Sequence, residues 1–315
     1  MTLSFNINIL IFWILQLLLI PVMAPFVIGM TRKFKALFQN REGASIFQPY
    51  RDLWKLFHKD EVVSHDASWI FLVAPYIIFA VMIVIGAGIP LVSSAFPNIL
   101  TSDFLLIIYL LALATFFLAL AGIDTGAGFG GFGSSREMMV ASLTEGGLIL
   151  SLLSLALIAG TSNLFGISAR IAALPFLHST PLLLAFMSFI ISLLAETKRF
   201  PFDNPATHLE LTMIHEAMIL EYSGKRLALI EWAAWGKYLI FIALGANLFF
   251  PMGISASLSL FSVIPALVIF ILKVLAFCFG IAFIESTMAK YRIFRLPDLL
   301  FTSFIINIIA IALII

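Results

Sequence analysis

Apolar residues in this chain come in long unbroken runs rather than in the alternating or every-third-or-fourth patterns of soluble strands and helices. Spanning the hydrocarbon of a bilayer takes about 20 apolar residues in helical form. Eight runs meet that length, at 7–29, 69–94, 103–122, 138–160, 171–195, 232–252, 258–284 and 298–315. The segments between them are of two kinds. Those at 95–102, 161–170 and 253–257 are short, whereas 30–68 and 196–231 are long and hold most of the charge. The pattern predicts an all-α, polytopic membrane protein: one membrane domain over 1–315, eight transmembrane helices, and a first helix that is retained rather than cleaved as a signal.

Composition agrees with that reading and removes alternatives. Hydrophobic residues are 62% of the chain and charged residues 11%, against about half and a quarter in an ordinary soluble domain. The first partner is therefore the lipid bilayer, and nothing points to nucleic acid. A single cysteine, Cys278, allows neither an internal disulfide nor a cysteine metal cluster. No cofactor is expected in this chain.

The placement of Lys and Arg carries more information than the net charge of +1. With eight spans, the first, third, fifth and seventh connections share a side. They contain Arg32, Lys33, Lys35, Arg41, Arg51, Lys55, Lys59, Arg136, Lys198, Arg199, Lys225, Arg226, Lys290, Arg292 and Arg295, whereas the other side has Arg170 alone. By the positive-inside rule the long loops are expected in the cytoplasm and both termini outside it. A multi-pass protein of the inner (plasma) membrane is the expectation.

Ionisable groups inside apolar runs are costly and tend to mark a pathway or a partner. Glu145 lies in the fourth run and Lys273 near the middle of the seventh; each is either a bonded bundle residue or a proton handler. Lys237 is near a run's end and can snorkel, and Glu196 and Glu285 sit at run ends where water reaches. The loop segment 207–224 reads as a short amphipathic helix, on which Glu210 and Glu221 fall about 20° from one face and His208 and His215 align likewise. Two look-alikes fail. The glycines at 128, 130 and 133 match a dinucleotide fingerprint, but no βαβ unit surrounds them. His215-Glu216 opens like a zinc-protease motif, but Ile219 stands where the second His belongs.

Four stretches resemble a known family: REGASIFQPYRDLWKLF at 41–57; GIDTG at 122–126 running into GSSRE at 133–137 and Glu145; AETKRFPFD at 195–203 with Glu210 and EYSG at 221–224; and Lys273 followed by ESTMAKYR at 285–292. Their order and spacing are similar to the membrane subunit shared by respiratory complex I and membrane-bound nickel–iron hydrogenases, where it is formate hydrogenlyase subunit 4 or its hydrogenase-4 counterpart. The hydrogenase branch is the nearer one. Departures are Ala44 where the family has Pro, and Ala206 and His208 where it has carboxylates.

What the resemblance implies is a subunit that anchors an iron–sulfur subunit and a hydrogenase-like large subunit on the cytoplasmic side, beside antiporter-like membrane subunits. Iron–sulfur clusters, and nickel–iron, would belong to those partners. Docking would fall to Arg41, Gln48, Pro49, Tyr50, Arg51, Asp52 and Lys55. A proton relay would use Glu145, Glu196, Asp203, Glu210, Glu221, His208, Lys273 and Glu285, with Arg136 and Arg199 tuning neighbouring carboxylates. The rivals are the quinone-site subunit of complex I proper, a stand-alone ion transporter, and a purely structural anchor.

Overall fold

In lipid a backbone must satisfy its own hydrogen bonds, and the apolar runs do so as helices. The computed structural model describes residues 7–95, 102–174, 180–203, 213–257 and 259–315. In chain order the helices are α1 (Ile7–Phe38), α2 (Gln48–Phe57), α3 (Trp69–Gly88), α4 (Phe104–Asp124), α5 (Gly128–Ala159), α6 (Leu164–Ala172), α7 (Thr180–Glu196), α8 (His215–Ile219), α9 (Gly224–Leu244), α10 (Leu260–Thr287) and α11 (Leu296–Ala312). A five-residue π-turn, Gly245–Phe249, prolongs α9. Among the described residues only two isolated β-bridges occur. Among the described residues seven helices are long and apolar enough to cross a membrane, and α7, in the fifth expected span, contributes 17 residues.

The bundle is built around α9. Two-thirds of its apolar window is buried (67%), against 28% in α10 and in α11, so α9 is internal and the latter two lie outermost. On one side α9 packs against α1 and α3, and on the other α5 packs against α4, α7 and α11. Prolines interrupt the helical hydrogen bonding of α1 and α3, and in each helix a freed carbonyl is taken up by an aromatic donor. Pro25 has no N–H for the carbonyl of Pro21, which accepts instead from the Trp232 indole at 2.8 Å. Pro75 likewise frees the carbonyl of Phe71, which accepts from the Tyr222 hydroxyl at 2.9 Å. In both cases the proline gap ties two distant elements together.

Several sequence expectations need correction. The helix α1 runs nine residues beyond the expected 29, α5 begins ten residues before 138, and α9 begins eight before 232. Hydropathy marks only the apolar part of a helix, whereas the backbone ladder continues into polar sequence. The supposed loop 161–170 contains most of α6, started by Asn163, whose side chain accepts from the N–H groups of Phe165 and Gly166. Of the expected helix through 207–224, residues 207–212 lie outside the described residues, and within 213–223 only α8 is helical; beyond it the chain turns, and Tyr222 stacks on Phe71 with ring centroids 3.9 Å apart. Glu221 is exposed beyond that helix, and Glu210 and His208 lie outside the described residues. The glycine-rich stretch from 128, which lies before the run expected at 138, is already helical. A Cβ on Gly130 would stand 2.0 Å from the carbonyl oxygen of Gly122, so Gly130 lets α4 and α5 touch backbone to backbone.

Candidate functional site: a cavity walled by ion pairs

At the end of the bundle where α1, α7 and α10 finish and α5 and α9 begin, charged residues that hydropathy leaves outside the spans turn inward. They wall a cavity of about 520 Å3. Its other wall is apolar, with Ile78, Val81, Met82, Ile85, Leu111 and Leu118. A charge taken out of water needs a partner, and Glu137, Glu196, Asp203 and Glu285 each have one from a different part of the fold.

Glu285, near the end of α10, has two. The Lys35 ammonium of α1 lies 3.0 Å from Oε2, and the Arg199 guanidinium, just past α7, lies 2.9 Å from Oε1. Arg199 also rests 4.2 Å above the Tyr238 ring, whose hydroxyl is 3.1 Å from that of Thr31. Glu196, the last residue of α7, is 2.6 Å from the Lys237 ammonium of α9, which also donates to the Thr115 hydroxyl of α4 at 3.3 Å. Glu137 on α5 pairs with Lys198 at 2.8 Å. Asp203 pairs with Lys290 at 2.6 Å and accepts from the backbone N–H of Ile214 at 3.2 Å. For Lys198, burial alone would lower the pKa, but the carboxylates of Glu137 and then Glu196 outweigh it and hold the ammonium above its ordinary range. Arg199 is held up in the same way by Glu285.

Of the residues singled out from sequence, Glu196, Asp203, Arg199 and Glu285 thus converge on one cavity. Arg199 does hold a carboxylate, Glu285. Arg136 does not do so among the described residues: it donates to the carbonyl of Met213 at 3.0 Å. Glu145 is half-buried, makes no hydrogen bond or ion pair among the described residues, and lies within electrostatic range of Glu196 and Lys237. Lys273 is far from this cluster and bonds the Asn247 side-chain oxygen at 3.1 Å. Glu221 faces solvent.

Sequence reading missed Lys35, Glu137, Glu231, Lys237 and Lys290 as wall or pairing residues. For Glu231 and Lys237 a signal existed, since both interrupt an apolar helix. For Lys35 and Lys290 there was none, because their partners are remote in sequence.

The expected docking segment is α2, and it divides by face. Pro49 and Leu53 are buried, and the Tyr50 hydroxyl donates to the carbonyl of Val22 on α1 at 2.6 Å. The Gln48 amide donates to Asp52 at 2.8 Å, along the helix itself. Arg51, Trp54 and Lys55 point outward, and the exposed Arg41 stands at the cavity rim.

Seven long apolar helices among the described residues, with α7 beside them, around a charged cavity define a multi-pass membrane protein. A family profile described as NADH dehydrogenase matches residues 10–315, and the chain belongs to that family. It is 32% identical to formate hydrogenlyase subunit 4 of Escherichia coli (strain K12), over 92% of this chain and 94% of the relative. It is 36% identical to hydrogenase-4 component C of the same organism, over 90% and 88%. With the matching subunit of the NADH-quinone oxidoreductase of Anaplasma phagocytophilum (strain HZ) the identity is 28%, over 86% and 85%. The fold matches a chain of the membrane-bound sulfane sulfur reductase, an archaeal respiratory membrane complex, with a TM-score of 0.83 over 96% of this chain and 99% of that one, at 21% identity. The chain is a membrane subunit of the hydrogenase- and complex-I-like kind, as the sequence motifs led one to expect.

Proposed function

We propose that this subunit anchors the soluble iron–sulfur and hydrogenase-like catalytic subunits of a redox complex and couples their reaction to cation movement through the membrane. The observation that carries the reading is the set of paired carboxylates walling one cavity, each held by a cation from another element. In such a set, protonating one carboxylate frees its cation to interact with the next. A charge change at the mouth then biases groups deeper in. Glu145 suits the inner end, being half-buried, unpaired among the described residues and close to the Glu196–Lys237 pair. With the chain in the plasma membrane, as its sequence led one to expect, the positive-inside rule supports a cytoplasmic position for the cavity end. The outward face of α2, with Trp54 between Arg51 and Lys55, combines an aromatic anchor with charge, as docking surfaces do.

Glu145→Gln tests the relay without breaking any ion pair. We expect an assembled complex that keeps its soluble redox half-reaction but loses ion pumping in sealed vesicles. Normal pumping by that variant would overturn the relay. A second reading draws on the apolar wall of the same cavity, which suits an amphipathic ligand such as the quinone in the name of the Anaplasma phagocytophilum relative. Quinone-dependent electron transfer in the purified complex would favour it over the hydrogenase-like reading.

A further inference from the structure

The outermost helices of the bundle carry one feature that the ion-paired cavity does not use. In the apolar span Phe261–Thr287, Lys273 stands twelve residues from one end and fourteen from the other. At 1.5 Å per residue both ends are roughly 18–21 Å away, too far for its side chain to reach water. The charge therefore sits at mid-depth, where ionisable groups are rare and paired. Among the described residues its partner is neutral. The ammonium donates to Asn247 Oδ1 at 3.1 Å, and no carboxylate lies within ion-pair distance. Asn247 cannot turn away, because its amide nitrogen donates to the carbonyls of Pro90 and Leu91 at 2.8 and 2.7 Å. The π-turn thus holds Lys273 in place while leaving the side chain partly exposed at the surface of α10.

Beside Lys273 the surface is shaped for another helix. Ala276 and Gly280, three and seven positions on, share its face and are both exposed. A Cβ on Gly280 would meet nothing within 4 Å. Leu272 and Phe279, 59% and 51% exposed, flank this notch. Small residues four apart let two helix backbones approach closely within a bilayer. A lipid tail also fits a notch, but lipid phosphates lie at the interfaces and bring no counter-charge to mid-depth. We infer that this face of α10 is the docking site for a transmembrane helix of a second membrane subunit, one that presents an Asp or Glu to Lys273 over the Ala276–Gly280 notch. The site is remote from the cavity, so the inference stands whether or not Glu145 relays protons.

The test uses the whole complex in native membranes, with a photo-crosslinking amino acid in place of Ala276. The expected result is an adduct with a membrane chain, joined within one helical turn of an Asp or Glu. Lys273→Glu should abolish that adduct, and an acid-to-Lys change at the joined site of the partner should restore it. Gly280→Leu, which leaves the Lys273–Asn247 bond alone, should also abolish the adduct while the isolated chain keeps its melting temperature. Adducts with phospholipid only, a joined helix with no acid, or an adduct undiminished by Lys273→Glu would each overturn the inference.

Discussion

Glu285 shows how much a single side chain can organise in this bundle. Its carboxylate is 1% exposed and neutralises Lys35 from the first helix and Arg199 from the turn after α7. Glu285→Gln leaves two cations facing a neutral amide, and breaking a buried pair in this way costs about 3–5 kcal/mol. The detergent-solubilised protein should melt earlier by that measure, and adding Lys35→Met should recover part of the loss. Lys198 supports a pH prediction. Because Glu137 and Glu196 outweigh its burial and raise its pKa, its stabilising share is fully present below the ordinary lysine value and fades as pH rises through the raised one. The melting-temperature gap between the native chain and Lys198→Met should therefore be constant from about pH 6 to 9 and narrow only above ~10.4. At this scale the sequence was half legible. Glu196 and Glu285 stood out as charges at the ends of apolar runs, and Asp203 and Arg199 through the resemblance of 195–203 to the family. Lys35 and Lys290 looked like ordinary loop cations, since nothing local reveals a partner such as Glu285, which follows Lys35 at a distance only the fold closes.

Whole elements were easier to read than their edges. Long apolar stretches have few alternatives in lipid, so the expected runs found the spans; their polar extensions and α6 escaped because hydropathy is blind to helices that leave the hydrocarbon. The glycines of α5 were visible, but their purpose depends on what α4 places opposite. Gly130→Ala sets a methyl against the Gly122 carbonyl, where only backbone displacement gives relief. We expect it to part α4 from α5 and to lower the yield of folded protein in detergent, whereas Gly131→Ala, with nothing within 4 Å, should be silent. The proline gaps make a matching prediction. Trp232→Phe keeps an aromatic ring but leaves the Pro21 carbonyl without its donor, for about 1–3 kcal/mol in a melting experiment.

For the molecule as a whole, topology and partnership can be tested together. Reporters fused at positions 60 and 225 should lie in the cytoplasm and one at the C-terminus outside; a cysteine at position 60 labelled from outside intact cells would reverse the orientation. Arg51→Ala combined with Asp52→Ala should release the proposed soluble subunits from membranes, and retention of the full-mass complex would mean that α2 does not hold them. The bond from Trp232 to Pro21 also sets a timetable for biogenesis. Its donor and acceptor are 211 residues apart. At about 5–20 residues per second, α1 is made roughly 10–40 s before the indole that completes it. Through that interval α1 carries an unpaired carbonyl, so it should linger beside the insertion machinery instead of entering lipid alone. Nascent chains stalled before residue 232 should crosslink to that machinery through α1, and chains stalled well after α9 should not.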